Sequence, residues 1–194
     1  MSDTDLESPP AESAPAFPDA PHRGRGYEKR AVEAFLGHAR AAFELGDEST
    51  SMTSADIRHV AFPIVKRGYS IAAVDAALGR IEDAFAARER ERAFAETGDA
   101  AWYATARASA QEILNRLARP AGQRFTRTGI FTNGYDTKAV DAFAERLVGY
   151  FQNGKPMSVE QVRAVAFPAK KRGYNEAQVD LLLDSVIDVM LAVR

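Results

Sequence analysis

A spacing repeated four times constrains this chain more than anything else in it. Arg25-Gly26-Tyr27 leads to Val32-Glu33, and Arg67-Gly68-Tyr69 to Val74-Asp75. Asn133-Gly134-Tyr135 leads to Val140-Asp141, and Arg172-Gly173-Tyr174 to Val179-Asp180. In every copy four residues lie between the Tyr and the Val, and an acid follows the Val. Recurrence of this kind marks a structural unit built several times over. After each Tyr comes Glu28, Ser70, Asp136 or Asn175, and the last three are preferred helix N-caps. With the cap there, Tyr stands at N′ and Val at N4, the spacing of a hydrophobic staple. The glycine before the Tyr admits the positive φ that a sharp entry turn often needs. The acid falls in the second turn, where the helix dipole mildly favours negative charge. Each copy therefore predicts a loop-to-helix corner. Its structural residues are Gly26, Tyr27 and Val32; Gly68, Tyr69 and Val74; Gly134, Tyr135 and Val140; and Gly173, Tyr174 and Val179.

The residues after each corner keep a helical period. Val32, Phe35, Leu36, Ala39 and Phe43 share their spacing with Val74, Ala77, Leu78, Ile81 and Phe85. Val140, Phe143, Ala144, Leu147 and Phe151 repeat it, as do Val179, Leu182, Leu183, Val186 and Met190. Steps of three, one, three and four place five apolar side chains on one stripe. One such helix cannot bury its stripe alone, so an all-α bundle of these helices is expected.

The first corner helix should run to about Leu45, where Gly46-Asp47-Glu48-Ser49 breaks it. Thr53 and Asp56 have capping-box spacing, which predicts a short helix from about Ser54 to Ala61, stopped by Phe62-Pro63. Ser158 and Gln161 repeat the box, and Phe167-Pro168 the stop. Indeed Met52 to Tyr69 aligns with Met157 to Tyr174 without a gap, and Phe17 and Phe125 each stand nine residues before a corner glycine. The chain thus divides into a tail at 1–16, a first repeat pair at 17–97, a linking helix and loop at 98–124, and a second repeat pair at 125–194. Trp102 lies in the linking helix with core-like spacing to Ala106, and the alternating Arg/Glu run at 88–92 suits a solvated face. No β pattern of any length is visible.

Several functions are excluded by composition. Without cysteine there are no disulfides or thiolate zinc sites. His22, His38 and His59 do not pair at a metal-ligand spacing. A formal charge of −2 and a pI near 6.0 argue against a dedicated nucleic-acid binder. Glycine-rich phosphate loops are absent, and the carboxylates are scattered along helices. No enzyme, cofactor, metal or small-molecule substrate is therefore expected. Residues 1–16 are acidic and rich in Ser, Pro and Ala, without the basic and apolar regions of a secretory signal, and read as a disordered tail. The most apolar stretch, Leu181 to Val193, is interrupted by Asp184 and Asp188. A cytoplasmic protein is expected.

These motifs resemble the amino-terminal domain of DivIVA proteins, coiled-coil scaffolds of division sites and poles in Gram-positive bacteria. Thr53, Asp56, Ile57, Phe62, Arg67, Gly68, Tyr69, Val74 and Asp75 follow the family pattern in order. Ser158, Val162, Phe167, Arg172, Gly173, Tyr174, Val179 and Asp180 follow it again, with Gln161 in place of the Asp. The other two copies match from Gly-Tyr onward, with Arg25 in addition in the first. The arrangement is similar to the DivIVA-repeat proteins of actinobacteria over most of 17–194.

The resemblance implies a non-catalytic adaptor of cell division or polar wall growth, recruited to septum or pole, with protein partners and a monomeric or small-oligomer state. An anionic membrane surface is the alternative contact. Arg25, Lys66, Arg67, Lys170, Lys171 and Arg172 are the candidate contact residues for either. The family carries an exposed Phe immediately before the Arg, implicated in membrane insertion; here that position holds Gly24, Lys66, Thr132 or Lys171. A long coiled coil is also missing, since no helix sustains several heptads of apolar seam.

Overall fold

The computed structural model describes residues 16–21, 24–45 and 52–194. The expected tail (all but Ala16), His22 and the break at 46–49 lie outside the described residues. Within them the chain is mostly helical, as expected. In order come β1 (Arg25–Tyr27), α1 (Lys29–Leu45), α2 (Ser54–Arg58), β2 (Ile64–Lys66), α3 (Ile71–Thr97) and α4 (Asp99–Leu117). Then follow β3 (Asn133–Tyr135), α5 (Thr137–Asn153), α6 (Val159–Arg163), β4 (Ala169–Lys171) and α7 (Glu176–Ala192). The strands contradict the absence of any β pattern. Each has only three residues, too few for an alternation to show, and each forms only because a remote segment lies beside it.

The chain forms two compact units, Met1–Glu82 and Asp83–Arg194. The division falls inside α3 rather than at residue 97, because the second half of that helix is committed to the second unit. Ala86 enters that unit's core, and Asp83 accepts from Arg163 at 2.8 Å.

In the first unit Val32, Tyr69 and Val74 are buried together, with Phe17, Tyr27, Leu36, Phe62 and Leu78 around them. Thr53 and Asp56 form the expected capping box of α2. That helix ends at Arg58, earlier than Ala61, and Pro63 is not what stops it. Instead the Val60 N–H turns to the Ile57 carbonyl at 3.4 Å, closing a tighter final turn. Along α1 the buried residues are Val32, Ala39 and Ala42, whereas Phe43, expected on the stripe, is exposed. Arg58 and Glu82 form a buried ion pair at 2.7 Å, so Glu82 is a structural carboxylate.

The second unit has the larger core. It joins Ile113 and Leu117 of α4, Phe143, Ala144 and Leu147 of α5, Val159 and Val162 of α6, and Val186, Ile187 and Met190 of α7. Burying each large aliphatic side chain here contributes about 1.5–3 kcal/mol. The Trp102 helix, α4, packs along α7 and α5 and so is part of this unit. Trp102 is half-buried, edge-on to Phe94, and its indole N–H donates to the Ala192 carbonyl at 3.0 Å. The 88–92 run is not simply solvated: Arg90 donates to the Leu191 carbonyl, one of those that the end of α7 leaves free, and to the Arg194 main-chain oxygen beyond it.

Candidate functional site

The four Gly-Tyr corners meet in pairs, one pair per unit. In the first, β1 runs antiparallel to β2, with Arg25 opposite Lys66, Gly26 opposite Val65 and Tyr27 opposite Ile64. The chain then turns at Arg67, and the next residues come back across β1. The Tyr27 N–H donates to the Tyr69 carbonyl at 3.0 Å, and the Tyr69 N–H to the Tyr27 carbonyl at 2.9 Å. In the second unit β3 pairs with β4, Asn133 opposite Lys171. Tyr135 and Tyr174 exchange the same two bonds at 3.0 and 2.8 Å. Two loops therefore cross with their backbones in direct contact.

This crossing explains the glycines differently from the sequence reading. Positive φ among glycines falls on Gly98, Gly122 and Gly154, not on the corner glycines. A Cβ on Gly26 would instead stand 2.1 Å from the Tyr69 carbonyl oxygen, and one on Gly173 2.5 Å from that of Tyr135. Close approach is what demands glycine here. The left-handed residue is the arginine before the second glycine of each pair: Arg67, before Gly68, and Arg172, before Gly173, both have φ 57.

The caps form as expected. Asp136 accepts from the Lys138 N–H and Asn175 from the Gln178 N–H. Ser70 accepts from Ala73 at 3.4 Å, and Glu28, the exception, reaches the Ala31 N–H with its longer side chain at 2.6 Å. Tyr69 and Tyr174 are 1% and 0% exposed and lie in the clusters holding Val74 and Val179. Tyr27 and Tyr135 pack against the same clusters while half-buried.

The acid after each Val serves the tyrosine of the other copy. The Tyr69 hydroxyl donates to Glu33, and that of Tyr174 to Asp141 at 3.0 Å. In the opposite direction the Asp75 and Asp180 carboxylates stand near enough to the Tyr27 and Tyr135 hydroxyls to help raise them. All four hydroxyls are pushed above the usual tyrosine range. The bond to Glu33 is the main cause for Tyr69, and burial for Tyr27, Tyr135 and Tyr174, with the opposite carboxylate reinforcing it in each case. Sequence reasoning assigned these acids to the helix dipole. The signal that they do more is their presence in all four copies. Phe17 and Phe125 likewise pack edge-on against Tyr69 and Tyr174 at 5.4 and 5.3 Å, which accounts for their shared spacing.

Arg124 is a site residue the sequence did not disclose. It is buried, donates to the Leu117 carbonyl at 2.9 Å and to Asp141 at 3.1 Å, and pairs with Glu145. Its backbone N–H donates to the Tyr174 hydroxyl. The only hint is its place immediately before Phe125, where the first half has Ala16.

The candidate contact residues gather at the two turns. In the first unit Arg25, Lys66 and Arg67 are all exposed, and Arg25 sits directly across from Lys66. Like charges so placed repel, and no described carboxylate neutralises any of the three. In the second unit Lys171 and Arg172 are exposed, whereas Lys170 pairs with Asp136 at 3.0 Å and holds that carboxyl below its usual range. Beside this turn the Thr128 N–H donates to the Gly173 carbonyl at 2.8 Å, and the loop it opens presents Ile130 and Phe131, 53% and 87% exposed. His38 and His59 are exposed, His59 as the C-cap of α2. No described helix is long and apolar enough to cross a membrane. Comparison with protein-family models, with curated proteins and with solved structures found no match in any of the three.

Proposed function

We propose that this chain is a non-catalytic adaptor of two tandem DivIVA-like halves, acting in bacterial division or polar growth through contacts at the tips of its crossed corners. The observation that carries the reading is the pair of left-handed arginines. A non-glycine residue in that region costs about 1 kcal/mol or more, and glycine would relieve it, yet Arg67 and Arg172 stand at equivalent exposed positions with φ 57. Retaining a cation there suits a surface whose work is to be touched. The assignment to division rests on the sequence resemblance. Pairing the corners within one chain leaves a monomer or small oligomer; polymers in light scattering would contradict it. A fluorescent fusion in the native cell should form septal or polar foci that weaken when Arg67 and Arg172 become Asn, and diffuse signal from the unaltered fusion would overturn the proposal.

A second reading, docking on an anionic membrane, is favoured by one observation. Ile130 and Phe131 are exposed beside Lys171 and Arg172, combining apolar and cationic groups as membrane-surface contacts do. It requires co-sedimentation with vesicles of 30% phosphatidylserine (about that share suffices for a negative surface) at low salt, lost at about 0.5 M salt. No pelleting at low salt would remove it.

A further inference from the structure

We propose that the outer edge of β2 in the first unit takes an extended acidic peptide as an added strand, reading an acid and, two residues later, an apolar side chain. The inference rests on the reading of that tip as a contact surface and names the partner's chemistry. Its first support is the phase of the backbone bonds. The Glu28 N–H donates to the Pro63 carbonyl at 2.9 Å, and Tyr27 lies opposite Ile64. Bonded and non-bonded pairs alternate along antiparallel strands. Gly26 and Val65 therefore exchange the next bonds, and Ile64 and Lys66 turn their N–H and C=O groups to the far side of β2. The Tyr27 bonds agree with that phase, since they go to Tyr69, on the side of β1 away from β2. No backbone–backbone bond among the described residues reaches the outward groups of Ile64 or Lys66. A row of such groups is where a further strand can add.

The side chains along this edge state what the strand must carry. Residues directly opposite each other share a face of the sheet. On that face Ile64 is 53% exposed, Lys66 is exposed, and Arg25 stands across from Lys66. An antiparallel peptide sets an acid opposite Lys66 and, two residues on, an apolar side chain opposite Ile64. Strands lie about 4.8 Å apart, so a glutamate on the added strand reaches Arg25 as well as Lys66 and relieves their repulsion. The readout stops there, because Pro63 precedes the edge and Arg67, with φ 57, turns the chain out of it. The same cations oppose pairing between two copies of the edge, which would bring like charges together. The second unit keeps the backbone phase, the Asp136 N–H donating to the Pro168 carbonyl at 2.8 Å. There, however, Ala169 stands in the place of Ile64 and Asn133 in that of Arg25, so its edge lacks the apolar anchor and one cation.

The test uses the full chain and a fluorescent peptide, Ser-Thr-Glu-Thr-Val-Thr-Ser, read by anisotropy at about 20 mM salt, where surface charges act over about 20 Å. Methylating the backbone nitrogen of its Glu or its Val removes a donor that faces β2, and should weaken binding about five-fold or more. Methylating that of the Thr between them, which faces solvent, should change binding less than about two-fold. Only the peptide changes in these arms, so folding of the protein is not at stake. Ile64→Ala and Lys66→Gln, at exposed positions, should each weaken binding about two- to five-fold, and Lys171→Gln on the second edge should leave it unchanged. Equal losses at the two edges would mean that charge alone directs the peptide, and would overturn the inference. If Lys66→Gln weakens binding but the three methylations act alike, the tip holds an acidic peptide without adding it as a strand; the inference then falls while the contact reading stands. If Arg25→Gln with Lys66→Gln leaves binding unchanged, or the unmodified peptide does not bind at about 1 mM, the reading of the first tip falls with it.

Discussion

Gly173→Ala should be among the most damaging single-methyl additions in the molecule. The new Cβ would lie 2.5 Å from the Tyr135 carbonyl oxygen and 2.6 Å from both the carbonyl carbon and oxygen of Gly134. All three are backbone atoms, so no side chain can swing aside. The loops must separate, stretching the reciprocal Tyr135–Tyr174 bonds of 3.0 and 2.8 Å. Two backbone hydrogen bonds are worth about 1 kcal/mol each, and forced overpacking costs about 1–3 kcal/mol, giving a loss of about 3–5 kcal/mol. Trp102, the only tryptophan, lies in the second unit and reports its unfolding in urea. With a slope of about 1.5–2 kcal/mol/M, the midpoint should fall by about 2 M. Gly129→Ala, in the same unit, is the control, because a Cβ there meets only the Thr132 hydroxyl at 3.8 Å and should leave stability within about 0.5 kcal/mol. A loss below about 1 kcal/mol for Gly173→Ala would refute the close crossing.

Other perturbations separate the remaining contributions. Stability should be maintained up to about pH 10 and decline above it. The folded state holds the four corner hydroxyls above the ordinary tyrosine value, so the unfolded chain loses those protons first. Replacing Tyr69 and Tyr174 by Phe should flatten that decline in pH-dependent melting; an unchanged slope would count against the hydroxyl bonds. Ser158→Ala removes the α6 capping box and should cost about 1 kcal/mol by urea midpoint. Phe131→Ala, at a nearly fully exposed position, should leave stability within about 0.5 kcal/mol while lowering pelleting with anionic vesicles, if the membrane reading holds. Loss of stability instead would give Phe131 a packing role.

What the sequence disclosed about this fold was its local part. Caps, helix starts and capping boxes involve residues at most four apart, and Thr53 with Asp56 or Asn175 with Gln178 are legible on that scale. The apolar stripes were legible for the same reason, except where α1 buries Ala42 and leaves Phe43 at the surface. The crossing was hidden because its partners are 36 residues apart for Tyr69 and Glu33, and 33 for Tyr174 and Asp141. Corner glycines signal a backbone need without saying which, and the need is proximity, while the left-handed turn falls to arginine. At the candidate site the cations of the tips could be named from sequence. The exposed Ile130 and Phe131 could not, since only the bond from Thr128 to Gly173 brings their loop beside Lys171.

The exchange of hydroxyl bonds between copies is tested most directly by a double-mutant cycle in the second unit. Tyr174→Phe and Asp141→Asn, singly and together, should show a coupling of about 1–2 kcal/mol in urea unfolding. Tyr174→Phe with Asp180→Asn, the acid of its own copy, should be additive within about 0.5 kcal/mol. Coupling to Asp180 with additivity at Asp141 would mean that each corner closes on itself, and the crossed clasp would be wrong.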